Sequence, residues 1–345
     1  MLNLTAAKFQ FTLGVRESMF LPPYKGSTLR GGFGGVFRRI ACSQKQLADC
    51  HPCLIKSSCP YRMIFEPGPV EGAELWGGFD EIPRPFVIEP PETEQTRFEP
   101  GEVLDFKLVL IGKAVDYLPY FVLVFKELGE LGIGKGRAKF DLRRVTALPL
   151  SGANGAIVFD GEKLYDQVSL IREPFVGFVS GEDDTLAISF QTMTRLKHNG
   201  IFVAAPEFPV LLRALFRRCS ALQYFYCGNR LELDFRTLVE QAEAVSLVGN
   251  ETFWVDWERY SSRQDRRMKL GGLVGRAEYR GPWREFGEVL RWGEILHVGK
   301  GCTFGLGKYL ISSEFDQSRV KTLVTSRSVT SQNLSYESVS HESKP

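Results

Sequence analysis

Four cysteines fall within 18 residues, as Cys42-x7-Cys50-x2-Cys53-x5-Cys59. Thiolates at this spacing, one pair of them Cys-x2-Cys, suit closed tetrahedral ligation of a metal ion. Asp49, His51, Pro52, Lys56 and Ser57 make the segment a loop, which argues against four unrelated core thiols. A site closed by four cysteines keeps no open position for a substrate, so its expected role is structural. Zinc is the expected ion, and a 4Fe–4S cluster is the alternative that the spacing also permits. Cys219, Cys227 and Cys302 stand apart and read as packing residues.

A second chemistry lies in two glycine-rich loops. Leu131-Gly132-Ile133-Gly134-Lys135-Gly136 matches Leu296-His297-Val298-Gly299-Lys300-Gly301 at a constant offset of 165 residues. Glycines let a backbone approach a ligand closely, and clustered N–H groups beside a cation suit phosphate oxygens. The spacing is neither that of a nucleotide P-loop nor that of a dinucleotide fingerprint. A helix-ending glycine followed by a turn would account for one copy. Two matched copies favour a backbone-binding loop, with Lys135, Arg137, Lys300 and Lys308 reaching phosphates. Basic residues with aromatics between them form a third group: Trp254, Trp257, Arg259, Tyr260, Arg263, Arg266, Arg267 and Lys269. Arg can hold phosphates while Tyr and Trp stack unpaired bases. Arg213 and Arg217 sit four apart on a helical stretch and give a basic stripe.

The net charge of +2 hides this distribution. Residues 24–48 carry five bases (among them Lys25, Arg30 and Arg38) and no acid, and residues 259–308 carry eleven bases against five acids. Residues 64–105 run the other way, with eleven acids against two bases. One cationic face suits a polyanion such as nucleic acid.

These groups need elements to hold them. At 345 residues, 43% hydrophobic and 24% charged, the chain has the composition of a folded protein of two domains. No run of 18 apolar residues exists and the first residues lack a signal layout, so the expectation is a soluble, cytoplasmic protein without membrane contact. Residues 5–15 alternate as a strand, and Phe33, Val36, Phe37 and Ile40 recur at helical spacing after Ser27, a candidate N-cap. Strands are expected at 85–89, 103–111 and 137–146, with a helix apolar nearly all round at 117–128. The second half repeats the order: strands at 185–193, 251–258, 273–279 and 304–311, helices at 206–226 and 231–244, and one that Pro282 opens. The whole reads as α+β, two tandem ferredoxin-like βαββαβ domains, with a four-cysteine metal insert at 42–59 in the first. The expected domains are residues 1–150 and 173–312, joined by a linker at 151–172. A Ser-rich tail, 313–345, is expected to be disordered.

The stretch from His297 through Gly301-Cys302-Thr303-Phe304-Gly305-Leu306-Gly307-Lys308 to Tyr309 resembles the C-terminal signature of the CRISPR repeat-RNA-processing endoribonucleases, a branch of the RAMP superfamily. Leu29-Arg30-Gly31, residues 257–264 and Gly271-Gly272-Leu273-Val274-Gly275 also fit, so the resemblance spans residues 1–312. It implies two ferredoxin-like domains that bind repeat RNA across their cleft. It also implies cleavage of precursor RNA by 2′-hydroxyl attack without a catalytic metal, leaving 2′,3′-cyclic phosphate and 5′-hydroxyl ends. The product would pass to a multi-subunit interference complex. That family commonly places a His at the first helix, and residues 27–41 contain none. Under this resemblance His297 is the expected catalytic group, His198 is its rival, and Tyr24 and Lys25 supply orientation and charge. Arg30, Arg38, Arg213, Arg217, Arg259, Arg263, Lys135, Arg137, Lys300 and Lys308 would bind RNA. The alternative is a related RNA-holding subunit that does not cut.

Overall fold

The structure is a computed structural model, and it describes residues 2–68, 82–151, 154–174, 184–228, 234–261 and 266–312. The Ser-rich tail, Arg263 and part of the 151–172 segment lie outside the described residues, and Arg259 is described by its backbone alone.

The first half contains β1 (Ala6–Val15), β2 (Met19–Phe20), α1 (Gly26–Ala41), α2 (Pro60–Ile64), β3 (Phe86–Glu89), β4 (Arg97–Phe98), β5 (Val103–Ile111), α3 (Leu118–Leu131), β6 (Phe140–Ala147) and β7 (Ala156–Phe159). β2 pairs with β4; the others form one sheet in the order β3-β5-β1-β6-β7, every neighbouring pair antiparallel. β7 corrects the expectation of a plain linker, because Val158 and Phe159 are apolar enough to join the first core. β1 alternates Phe9, Phe11 and Leu13 inward, and α1 and α3 cover that face of the sheet with Phe33, Phe37, Phe121 and Phe125. Phe33 and Phe121 stack with centroids 4.5 Å apart, and Phe11 and Phe106 do so at 5.0 Å. α3 is not buried all round as an apolar helix would be expected to be, since Leu123 stays 44% exposed.

The second half contains β8 (Thr185–Thr194), a hairpin β9 (Lys197–His198) and β10 (Ile201–Phe202), α4 (Phe208–Leu222), α5 (Phe235–Ala242), β11 (Ser246–Asn250), β12 (Phe253–Val255), β13 (Glu258–Ser261), β14 (Arg266–Lys269), β15 (Gly272–Arg280), α6 (Gly287–Leu296) and β16 (Tyr309–Ser312). Its sheet runs β11-β15-β8-β16, with β12 also on β15, all antiparallel. Counting only the sheet strands that flank the helices, both halves share one order: second, third, first, fourth. α4 and α6 cover this sheet, with Leu211, Leu215, Leu290, Trp292 and Tyr309 fully buried between the layers. β16 begins at Tyr309 and not at Phe304, because residues 302–304 turn as a 3-10 segment and Gly305 and Gly307 take positive φ.

Ser27 is not the N-cap of α1. Lys25 holds that position without a side-chain cap, and Ser27 sits in the first turn. On the same helix a β-carbon built on Gly31 would meet nothing within 4 Å. Gly31→Ala should therefore stabilise the fold by about 0.5–1 kcal/mol, as urea denaturation would read. Gly293 is the converse: its β-carbon would lie 2.0 Å from the Tyr309 hydroxyl, so Gly293→Ala should destabilise.

Candidate nucleic-acid interface

Between the two halves lies a cleft of about 1170 Å³. α1 and residues 82–84 form one wall; α4, the β9–β10 hairpin and the loop at 299–304 form the other. Arg30, Arg38 and Arg84 come from the first half; Arg195, Lys197, Arg213, Arg217, Arg218 and Lys300 come from the second. Among the described residues, no Asp or Glu lines the cleft. Nine cations around one concavity focus a positive potential and would draw in a polyanion.

Local structure explains each placement. α4 buries Leu211, Leu212, Leu215 and Phe216, which leaves Arg213 and Arg217 exposed one turn apart on the cleft side. Arg218 donates through Nε to the Leu296 carbonyl at 2.8 Å and ties α4 to the end of α6. Gly299 and Gly301 take φ of 84° and 85°, and Gly299 has no room for a side chain because its β-carbon would lie 2.5 Å from the Arg195 carbonyl. That close approach sets Lys300 at the rim, its amide donating to Arg195. The Arg30 guanidinium lies 4.1 Å from the Phe65 ring centroid and 4.9 Å from that of Phe304, so it bridges the halves. In the hairpin, Asn199 and Gly200 both take positive φ, and the Arg195 and Lys197 cations flank Phe202 at 4.5 and 5.1 Å.

The expected catalytic groups are dispersed. His297 is fully buried, so the loop does not present it to the cleft. Its Nδ1 lies 3.1 Å from the Leu306 carbonyl, and burial pushes its pKa down. Lys25 is also buried; its Nζ donates to the carbonyls of Pro23 at 2.9 Å and Thr93 at 2.7 Å, and burial lowers its pKa to about 8. Tyr24 donates its hydroxyl to the Phe304 carbonyl at 2.8 Å, with its ring edge-on to Trp257 and its pKa raised by burial. Tyr24 therefore ties the turn before α1 to the glycine loop, and Lys25 ties that turn to the segment before β4. His198 is exposed, next to Lys197 on the hairpin that borders the cleft.

Of the cations, Arg30, Arg38, Arg213, Arg217 and Lys300 line the cleft, and Lys135, Arg137 and Lys308 do not. Lys135 and Arg137 are exposed on the first half, where the Lys135 amide donates to Phe20. Lys308 is drawn inward, 2.6 Å from Glu92 and 3.4 Å from Glu89. Arg84 carried no signal in its acidic, Pro-rich stretch. The hairpin did carry one, the Asn199-Gly200 dipeptide between two short extended pairs.

Cys42, Cys50, Cys53 and Cys59 do converge, lining one small concavity at the end of α1. Burial and the Glu66 carboxylate push the Cys50 thiol up to about 11. Among the described residues, however, no group of three or more His, Cys, Asp or Glu is arranged to hold a metal ion, so the expected metal insert is not shown. Nor is any described helix long and apolar enough to cross a membrane.

Residues 188–309 match the family described as CRISPR-associated endoribonuclease Cas6, and residues 4–171 match a family described only as an N-terminal domain. An uncharacterized protein of Archaeoglobus fulgidus is 24% identical over 306 residues, spanning 85% of this chain and 93% of that one. A Cas6 product complex is 14% identical, covering 89% of this chain and 99% of its own, with a TM-score of 0.54. Thermus thermophilus Cas6 is 12% identical, covering 90% and 99%, at a TM-score of 0.50. A chain of a partial Cas6-RT-Cas1–Cas2 complex is 12% identical at a TM-score of 0.54, covering 97% of this chain and 55% of its own. Over residues 188–309 the chain is similar to the Cas6 endoribonuclease family, and across most of its length it shares the fold of the solved Cas6 structures.

Proposed function

We propose that this protein binds CRISPR repeat RNA in the basic cleft and cleaves the precursor there by 2′-hydroxyl attack, on a scaffold of two tandem ferredoxin-like units. The observation that carries the reading is the cleft itself, where the described lining residues include nine cations and no acid, in one groove between the halves. In the reaction the 2′-oxygen forms a bond to phosphorus while the bond to the 5′-oxygen breaks, giving a 2′,3′-cyclic phosphate and a 5′-hydroxyl. A base takes the 2′-hydroxyl proton and an acid protonates the leaving oxygen. We assign one of these roles to His198, exposed at the cleft border, with Lys300 and the lining arginines offsetting charge on the pentavalent phosphate. Among the described lining residues the charged groups are all cations, which favours chemistry without a divalent ion. The setting would be the cytoplasm, and the product would pass to a larger CRISPR complex.

The test is an end-labelled repeat RNA incubated in excess EDTA beside a copy with a 2′-deoxy sugar at the cut site. The expected result is cleavage at one position that survives EDTA and is abolished by the deoxy substitution. His198→Ala should slow it by roughly 10²- to 10⁴-fold. One observation favours a second reading, an RNA-holding subunit that does not cut: no histidine is among the residues lining the cleft. Salt-sensitive binding without cleavage would select it.

The cysteine quartet belongs to the same proposal as a structural metal site, with zinc ahead of a 4Fe–4S cluster. Its support is the donor set and the shared concavity, in which the Cys53 amide donates to the Cys50 carbonyl across the Cys-x2-Cys turn. Elemental analysis of the purified protein should find about one zinc per chain. Iron with sulfide and visible absorption would select the cluster, and neither metal would overturn the site.

A further inference from the structure

His297 stands at φ 61° and ψ 170°, a region of backbone space that is essentially glycine's alone. Its counterpart in the first half, at the offset of 165, is Gly132, at φ 75° and ψ 159°. There a β-carbon would lie 1.9 Å from the Arg137 carbonyl, so the first half keeps glycine. In the second half the same turn carries an imidazole in spite of the strain, and the imidazole is fully buried. Strain held at one residue is retained when the side chain is used.

What the imidazole meets is a carboxylate of the other domain. Its Nε2 faces Glu89 Oε1 at 3.5 Å. Glu89, on β3, is 3% exposed and accepts from the Lys8 ammonium on β1 at 2.7 Å. The Lys308 ammonium lies 3.4 Å from its second oxygen. His297 enters the glycine-rich loop and Lys308 leaves it, so one buried carboxylate of the first domain gathers both ends of a loop in the second. The loop is closed on itself by the Val298 amide donating to Gly307, and it rests against β3, where a β-carbon on Gly305 would lie 2.7 Å from the Ile88 carbonyl.

We propose that Glu89 and His297 are positioning residues of the RNA cleft: the Glu89 carboxylate fixes both ends of the 297–308 loop and so sets where Lys300 stands opposite α1. Neither side chain lines the cleft, and each acts through the loop. The consequence for RNA rests on the function proposed above; the clamp itself does not.

Two variants and two measurements test it. Glu89→Gln keeps the shape and removes the charge. His297→Gly removes the imidazole and leaves a residue at ease in that backbone conformation. Hydrogen exchange at the amides of residues 298–307, measured without RNA, should quicken roughly tenfold in either variant. Affinity for repeat RNA should fall by a similar factor, and the double variant should be no worse than the worse single one. A purely structural role predicts otherwise for His297→Gly: with the strain relieved, RNA affinity would stay at the wild-type value, and that result overturns the proposal. Unchanged exchange in both variants overturns it as well. If the wild type binds no repeat RNA, the proposed function fails, and the exchange data still decide the clamp. Should Glu89→Gln not fold, Lys308→Gln removes the carboxylate's charged partner at the far end of the loop and must show the same quickened exchange.

Discussion

Replacing Arg213 and Arg217 together by Glu should lower affinity for repeat RNA by roughly 100-fold. Both side chains are exposed on α4 and line the cleft one turn apart, so the double change turns two cations into two anions within a groove whose described lining residues include no acid. The loss is electrostatic and should shrink as salt rises. The slope of log affinity against log salt should become shallower by about 1.4, two contacts at about 0.7 each for single-stranded RNA. Fluorescence anisotropy across a salt series reads both quantities, and circular dichroism checks that α4 is intact. Arg291, on α6 and paired with Glu294 at 2.8 Å, is the control, since it does not line the cleft. An unchanged affinity in the double variant would remove the cleft as the RNA site.

Phe33→Ala should cost about 3–5 kcal/mol of stability, the usual range for deleting a core phenyl ring that its neighbours cannot close over. Phe33 is fully buried on α1 and touches the rings of Phe37, Phe65, Phe86, Phe121 and Phe125, at centroid distances of 4.5–5.9 Å. These rings come from two helices, a strand and the segment after α2, so no single element can move to fill the gap. Urea denaturation should show the loss. Because α1 is one wall of the cleft, RNA affinity should fall with the folded fraction and recover at low temperature or in stabilising osmolyte. A loss below about 1 kcal/mol would mean that the aromatic cluster repacks.

The chain's own pattern gave the main strands and helices of both halves. Alternation in β1, helical spacing in α1 and the matched loops at an offset of 165 report burial that each segment meets locally, and local burial is what periodicity records. On that basis β1, α1, β3, β5, α3, β6, β8, α4, β15 and α6 were legible, whereas β7, the β9–β10 hairpin and the β11–β14 strands around the expected 251–258 strand were not; the cationic face was read from charge distribution. The resemblance of the 297–309 stretch pointed to the family that the match at residues 188–309 supports.

The site was legible only in part, because its residues are defined by neighbours remote in the chain. Lys135 and Lys300 sit in near-identical sequences, yet only Lys300 lines the cleft, since only the second loop packs beside α1 of the other domain. His297 looked like an exposed loop histidine; Glu89 and Leu306 enclose it. Lys308 looked like a phosphate ligand, and Glu89 and Glu92 draw it inward. Glu89 itself stood among eleven acids with nothing to distinguish it. Spacing along the chain determined which groups could do chemistry, whereas burial and charge pairing between the two domains decided which of them meet solvent and which hold the fold. Those energies depend on contacts across the domain interface that no local pattern encodes.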